Sequence, residues 1–409
     1  MLTSAAPIAL LATLLSTLAP IYTKAEPRLQ EQGRPASDSI RISLLTVLPG
    51  DAIYSLWGHS AVRVTIPSQG VDVSYNYGTF DFEDEAFVPK FMYGSLDYRL
   101  SRHDFALAAR AYRELERRPM IEQVLNLSAT QKAALVQFLE TNYLPENRFY
   151  RYDFLYDNCS TRIRDAFEIA LGEAVRFADR PDPGVTFRRL LDPYQRAWPF
   201  LDAGIDWLLG APVDRIARPY ETMFLPDYLM EAFDHATIEI EGREMPLVAS
   251  TDTVFWVEGY ARPADPFPWA ALAGWLLFGV GIAITVRAAK QGRSVVRVLD
   301  PVLFIVVGIA GLLIAFLWFI SLHDVTSNNW HLLWSWPTHL IAGALLFRAR
   351  PPSRFLRGYL FAAALLALVA ALGSPFWPMH FHPALIPIML TVAVRGGWIF
   401  YAQALSSRS

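Results

Sequence analysis

The sequence predicts an α+β domain outside the membrane followed by an all-α transmembrane bundle of about five helices. Three observations carry this prediction. Residues 40–265 mix strand-like alternation with capped amphipathic helices. From Pro266 onward the chain becomes a series of apolar stretches, and the links between them alternate between basic and non-basic. A hydrophobic content of 53% and a mean hydropathy of +0.24 are high for a soluble protein, and the excess is concentrated in this second part. A net charge of −3 without a strongly basic domain excludes a nucleic-acid partner.

At the N-terminus, Ala5–Tyr22 is apolar and uncharged, Lys24 follows, and Glu26–Ser39 is polar and contains prolines. This reads as a secretory signal cleaved after Ala25, or as an uncleaved anchor helix, because no Lys or Arg precedes the apolar run. No cysteine lies near it, so a lipid-anchored leader is excluded. The expected organisation is therefore a leader or anchor at 1–25, an outer domain at 26–265 and a membrane domain at 266–409.

In the outer domain, Arg41–Leu48 alternates as a strand does. Trp57–Ile66 and Val71–Phe80 read as two strands joined by the turn Pro67-Ser68-Gln69-Gly70. Ser128 with Gln131 forms a capping-box sequence opening a helix over Ala129–Tyr143. Asp157 and Asn158 can cap a helix whose apolar face is Ile163, Ala166, Phe167 and Ala170, with Gly172 as its stop. Pro181–Pro199 is proline-dense and expected to wrap the surface, ahead of a segment at Ile205–Leu209 and a turn at Phe224–Leu229.

In the membrane domain, Phe267–Val286, Val302–Leu322, Leu332–Phe347, Tyr359–Phe376 and Pro383–Ala402 approach the ~20 residues needed to span a bilayer. Arg287, Lys290, Arg293 and Arg297 fill the first link, and Arg348, Arg350, Arg354 and Arg357 the third. The second and fourth links carry no Lys or Arg and are rich in Trp, His and Pro. The positive-inside rule puts the basic links in the cytoplasm and the α+β domain outside, in agreement with the leader.

The only cysteine of the chain, Cys159, falls in the first turn of the predicted helix after Asn158. Unpaired N–H groups and the helix dipole there lower a thiol's pKa, which suits a nucleophile. The alternative is a small buried apolar residue in line with Ile163 and Ala166. A nucleophilic cysteine needs a base, usually histidine. Of His59, His103 and His235, the last two lie in polar or charged stretches, whereas His59 stands where a strand starts. If Ile66 faces Val71 across the hairpin, then His59, Arg63, Asp72, Ser74 and Asn76 share one face. Asn76 then lies beside His59 and can orient its ring, or it caps a turn in Asn76-Tyr-Gly-Thr.

Four stretches, WGHSAVRV, YNYGTFDF, YDFLYDNCSTRIRD and MFLPDYL, resemble the periplasmic domain of the Lnb family of bacterial lipoprotein N-acyltransferases. They span most of residues 45–230, and HDVTSNNWHLLWSWP in the second link resembles the family's membrane half. The outer domain also resembles a permuted NlpC/P60-type papain-like fold, in which a strand histidine precedes a cysteine at a helix start. These resemblances imply Cys159 as nucleophile, His59 as base and Asn76 as third residue, with Asp72 and Ser74 as alternatives. They imply substrate contact or site support from Asn158, Arg162 and Tyr77, with Asp165 another motif position. They also place His323, Asn328 and Asn329 of the second link at lipid headgroups, unless these are ordinary interfacial polarity among Trp330, Trp334 and Trp336.

The implied reaction is acyl transfer from a phospholipid, through a Cys159 thioester, to the α-amine of a lipoprotein's N-terminal cysteine at the bacterial inner membrane. No cofactor and no metal are expected. One rival is a membrane-anchored cysteine peptidase or amidase acting on cell-envelope peptides. Another is a non-catalytic membrane binding protein in which Cys159 is packing. Metal binding through His380 and His382 with His323 or His331 lacks a supporting Asp, Glu or Cys cluster in the sequence.

Overall fold

The computed structural model describes residues 40–406 apart from 82, 179–183, 262–265 and 349–350. The expected leader at 1–25 and the polar stretch after it lie outside the described residues. The chain forms two compact units, one of residues up to Gly184 with Ala217–Arg262, the other of Val185–Ile216 with Pro263–Ser409.

The first unit is built on antiparallel strands β1 (Arg41–Val47), β2 (His59–Ile66), β3 (Val71–Thr79), β4 (Asp97–Asp104), β5 (Met120–Leu125), β6 (Phe149–Arg151), β7 (Val175–Arg176), β8 (Thr237–Ile240), β9 (Arg243–Pro246) and β10 (Val248–Phe255). Its helices are α1 (Phe87–Tyr93), α2 (Phe105–Arg110), α3 (Ala129–Tyr143), α4 (Cys159–Leu171) and α7 (Pro226–His235). Seven strands make one sheet in the order β10-β5-β1-β2-β3-β4-β6, and β7-β8-β9 make a second. The hairpin register is the expected one: Ile66 pairs with Val71 and Val62 with Tyr75. The turn between them is closed by Gly70 at φ 64°, a left-handed conformation that a residue without Cβ adopts at no steric cost.

Because side chains alternate along a strand, Val62, Val64 and Ile66 all fall on one face, where they join Ile42, Leu44 and Tyr75 in the main core. Helices α3, α4 and α7 cover that face through Leu135, Leu139, Ile163, Phe167, Leu229 and Phe233, all fully buried. The opposite face carries a smaller cluster of Leu45, Val47, Ala61 and Met120 under Phe105 of α2. Helix α3 has the expected capping box from Ser128 and Gln131. The expected turn at Phe224–Leu229 is instead the entrance to α7, with Pro226 in its first turn, where a missing N–H costs nothing.

The second unit holds α5 (Phe187–Gln195), α6 (Pro199–Leu208), α8 (Trp269–Lys290), α9 (Leu299–Phe319), α10 (His339–Leu346), α11 (Arg354–Gly373) and α12 (Ile386–Ser406). The proline-dense stretch expected to wrap the surface contains α5, with Phe187, Leu190 and Leu191 buried. Trp207 at the end of α6 stacks on Trp334 at 5.3 Å, so residues 185–216 pack into the helical region. Among the described residues, three helices are long and apolar enough to cross a membrane: Trp269–Lys290, Leu299–Phe319 and Arg354–Phe376. A fourth apolar helix, Ile386–Ala402, is shorter.

The third apolar stretch of the sequence gives only the eight-residue α10. Pro337 interrupts it by excluding helical geometry at the residue before, and glycines of α9 let the irregular backbone come close. A β-carbon at Gly311 would sit 1.9 Å from the Ser335 carbonyl oxygen, and one at Gly308 would sit 2.5 Å from the Leu340 nitrogen.

Candidate functional site

Helix α4 begins at Cys159 because Asn158 caps it. The Asn158 Oδ1 accepts the Ser160 and Thr161 N–H groups, and Thr161 Oγ1 returns a bond from the Asn158 N–H. The other end of the Asn158 amide is also committed, since Nδ2 donates to the Phe154 and Phe224 carbonyls at 2.8 Å each. Asn158 is thus held entirely within the scaffold, and it fixes the helix start to the Phe224-Leu-Pro segment.

The sheet and the helix meet through two serines. Ser60 Oγ and Ser160 Oγ lie 3.0 Å apart with both residues fully buried. His59 precedes the first serine and Cys159 precedes the second, so nucleophile and imidazole candidates start from neighbouring backbone. The Ser60 N–H reaches the Cys159 thiol, as do the N–H groups of Ser160 and of Cys159 itself. These donors pull the thiol pKa down, but burial outweighs them and the net shift is upward. The sequence expectation of a thiol acidified by its helix is therefore reversed, because at 8% exposure the thiolate loses its hydration.

His59 Nε2 lies 3.3 Å from Asn76 Oδ1. The Asn76 amide orientation is set by its other end, where Nδ2 donates to the Ser74 carbonyl and hydroxyl at 3.3 and 3.2 Å. With Oδ1 facing the ring, Nε2 carries the proton and Nδ1 keeps its lone pair. Burial and the Arg118 guanidinium push the imidazole pKa down to about 4, against the Asn76 bond, which raises it. The imidazole and the thiol therefore each rest neutral at pH 7. Of the other third-residue candidates, Asp72 is taken by Arg63 at 2.6–2.7 Å, and Ser74 supports Asn76.

Two tyrosines that the sequence reading passed over stand beside the thiol. Gly78, at φ 89°, marks the place: a β-carbon there would lie 3.8 Å from Cys159 Cβ, 3.5 Å from Tyr152 Cε2 and 3.9 Å from the Tyr150 hydroxyl. The Tyr150 hydroxyl is buried and has no hydrogen-bond partner among the described residues. Burial and the nearby Cys159 hold its pKa well above the ordinary phenol range, so it remains a donor. Arg162 fixes the ring from behind, its guanidinium 3.6 Å from the ring centroid and clamped by Asp157 at 2.5 and 2.7 Å. The spacing Tyr150-x-Tyr152, which in an extended segment puts both rings on one side, is the only sequence signal that could have found them.

Tyr77 packs edge-on against Tyr150, ring centroids 6.2 Å apart. It faces the core, its hydroxyl bonded to Asn142 at 2.6 Å. Asp165 pairs with Arg164. His323, Asn328 and Asn329 belong to the second unit. There Asn329 is fully buried and donates to the Trp207 and Leu208 carbonyls, while Asn328 is exposed at φ 50°.

One cluster in that unit has the composition of a metal site. Asp202, Asp206 and His382 place ligand atoms within 4.8 Å of one another. Their hydrogen bonds give a different account. His382 Nδ1 accepts the Ala384 N–H, so Nε2 carries the proton and points it at Asp202, 3.2 Å away. A metal-bound Nε2 would need the opposite tautomer. Asp206 is paired with Arg188 at 2.7 Å. The cluster is an ion-pair network.

Comparison with known families gives two matches. A model described as the Lnb N-terminal periplasmic domain matches residues 30–193, and one described as the Lnb transmembrane domain matches residues 266–406. No curated protein and no solved structure matches the chain.

Proposed function

The chain belongs to the Lnb family, with its periplasmic and transmembrane domains in sequence, and from that premise we propose that it moves a fatty acyl chain from a phospholipid to a lipoprotein's N-terminal α-amine. The work is done at the outer face of the inner membrane through a thioester on Cys159. The observation that carries this reading is the pairing of a buried thiol with an unsatisfied hydroxyl. The Cys159 thiol is 8% exposed, and the Tyr150 hydroxyl beside it has no hydrogen-bond partner among the described residues.

His59 Nδ1 takes the thiol proton as the sulfur attacks the ester carbonyl carbon of the lipid. The carbonyl π electrons move to oxygen, and the Tyr150 hydroxyl and the Cys159 N–H donate to that oxyanion. The C–O bond to the lysolipid then breaks, and the leaving alkoxide takes the proton from His59. In the second half the amine attacks the thioester, gives its proton to His59, and the thiolate leaves and is reprotonated. Asn76 keeps the ring in the tautomer that makes Nδ1 the base. A neutral resting pair also means that the thiol is activated only when substrate is present, which protects an exported cysteine from oxidation.

Intact-mass analysis of the purified full-length protein tests this. Wild type carries a hydroxylamine-labile acyl adduct and Cys159→Ser carries none. A peptidyl adduct on Cys159 would instead indicate a peptidase.

A further inference from the structure

We infer that a row of aromatic rings running from α1 to Cys159 is the seat of the donor's fatty acyl chain, with α1 as the element that meets the lipid. This rests on the thioester reading above and names the part of the site that takes the hydrocarbon.

Helix α1, Phe87-Val-Pro-Lys-Phe-Met-Tyr93, has no buried residue although six of its seven positions are apolar or aromatic. Val88, Phe91 and Tyr93 are 54%, 48% and 40% exposed, an apolar patch that water disfavours and a lipid surface does not. From α1 the rings continue inward without a break. Phe91 stacks on Phe87 at 6.0 Å, Phe87 on Phe80 at 5.5 Å, and Phe80 meets Tyr98 edge-on at 5.3 Å. Tyr98 then stacks on Tyr152 at 4.4 Å. Tyr152 is the ring that shares the Gly78 position with Cys159. One end of the row is therefore exposed and apolar, and the other is at the nucleophile.

A linear hydrocarbon suits such a row better than a peptide does. Each methylene it buries is worth about a four-fold gain in affinity, whereas a peptide would lose hydration at every backbone group without finding a partner. The chain also carries its own membrane helices, so the domain is held where phospholipid is the most concentrated apolar ligand. The occupant is the acyl chain of a membrane phospholipid.

The test uses full-length protein in nanodiscs of phosphatidylethanolamine with mixed 14-, 16- and 18-carbon chains, some bearing a diazirine at mid-chain. Illumination is expected to label residues between Phe80 and Tyr98. Phe91→Ser and Phe87→Ser should lower the yield of acyl-Cys159 at least about five-fold and flatten its chain-length preference, at unchanged melting temperature. Phe91 is exposed enough that its substitution does not threaten the fold. Acyl-Cys159 formed with unaltered yield and chain profile, and no label along the row, would overturn the inference while leaving the thioester standing. Absence of any acyl-Cys159 in wild type overturns the thioester reading itself.

Discussion

Two buried polar sites in this chain are completed in opposite ways. In the helical unit, Arg395 is fully buried and bonded bidentately to Asp300 at 2.7 and 2.9 Å, while its third nitrogen donates to Thr285 at 2.6 Å. Asp300 closes the set by accepting the Val296 N–H at 2.7 Å. Three helices, α8, α9 and α12, are tied at one point with every charge answered. In the periplasmic domain, Cys159 and the Tyr150 hydroxyl are buried beside each other, and the hydroxyl has no partner among the described residues. A saturated site can only hold structure together. An unsaturated one keeps donors in reserve for a group that arrives later, and the fold accepts the cost of an unmet buried hydrogen bond.

That contrast can be broken by mutation, and the expected effects fall in order. His59→Ala should lower the rate of Cys159 acylation by about 10²–10⁴-fold, the range for loss of a general base, with little change in melting temperature. Arg395→Met should do the reverse, costing about 3–5 kcal/mol of stability by leaving Asp300 charged and alone. Arg395→Met with Asp300→Leu should recover most of that loss, measured by thermal unfolding in detergent. If Arg395→Met melts like wild type, the saturated cluster is not a structural tie.

Tyr150→Phe sharpens the comparison because it removes only an oxygen that has no partner among the described residues. Acylation should fall by about 10²-fold, as for one oxyanion donor, and stability should hold or rise slightly because an unmet donor is gone. A variant that acylates at the wild-type rate would remove Tyr150 from the chemistry.

The smallest effect concerns pH. His59 titrates at about 4 in the folded protein and at 6.5 when exposed. Between those values the unfolded chain binds more protons, so stability falls as pH is lowered through that window and is fully present above it. His59→Ala should remove that part of the acid sensitivity. The same shift predicts an acylation rate whose acidic limb lies near pH 4. A limb near 6.5 would mean that the imidazole is solvated.

How much of this was legible in the sequence depended on how local the determinants are. The hairpin register followed from one four-residue turn, and with it the shared face of His59 and Asn76. The cap at Asn158 announced the helix carrying Cys159 within three residues. Strands β4, β5, β6 and β10 join the sheet through pairings between distant segments, such as β5 with β1 and β10, and no short-range pattern reports those. Apolar composition marked Leu332–Phe347 as a span, yet Pro337 and the close approach of Gly308 and Gly311 make it packed irregular backbone with a short helix. The thiol's pKa direction was misjudged for a related reason: the helix start is visible in sequence, and the depth at which it is buried is not. Tyr150 and Tyr152 matter only because Gly78 of β3 brings their rings to Cys159, a juxtaposition across 72 and 74 positions of sequence (150 minus 78 and 152 minus 78).

The central claim is that Cys159 carries a fatty acyl group, and intact mass of wild-type protein taken from phospholipid nanodiscs tests it most directly. The expected result is a mass increment equal to one acyl chain of the supplied lipid, lost on hydroxylamine treatment, absent in Cys159→Ser and accumulating more slowly in Tyr150→Phe. An unmodified wild-type mass after prolonged incubation with lipid, in a protein that is folded by thermal melt, would contradict it.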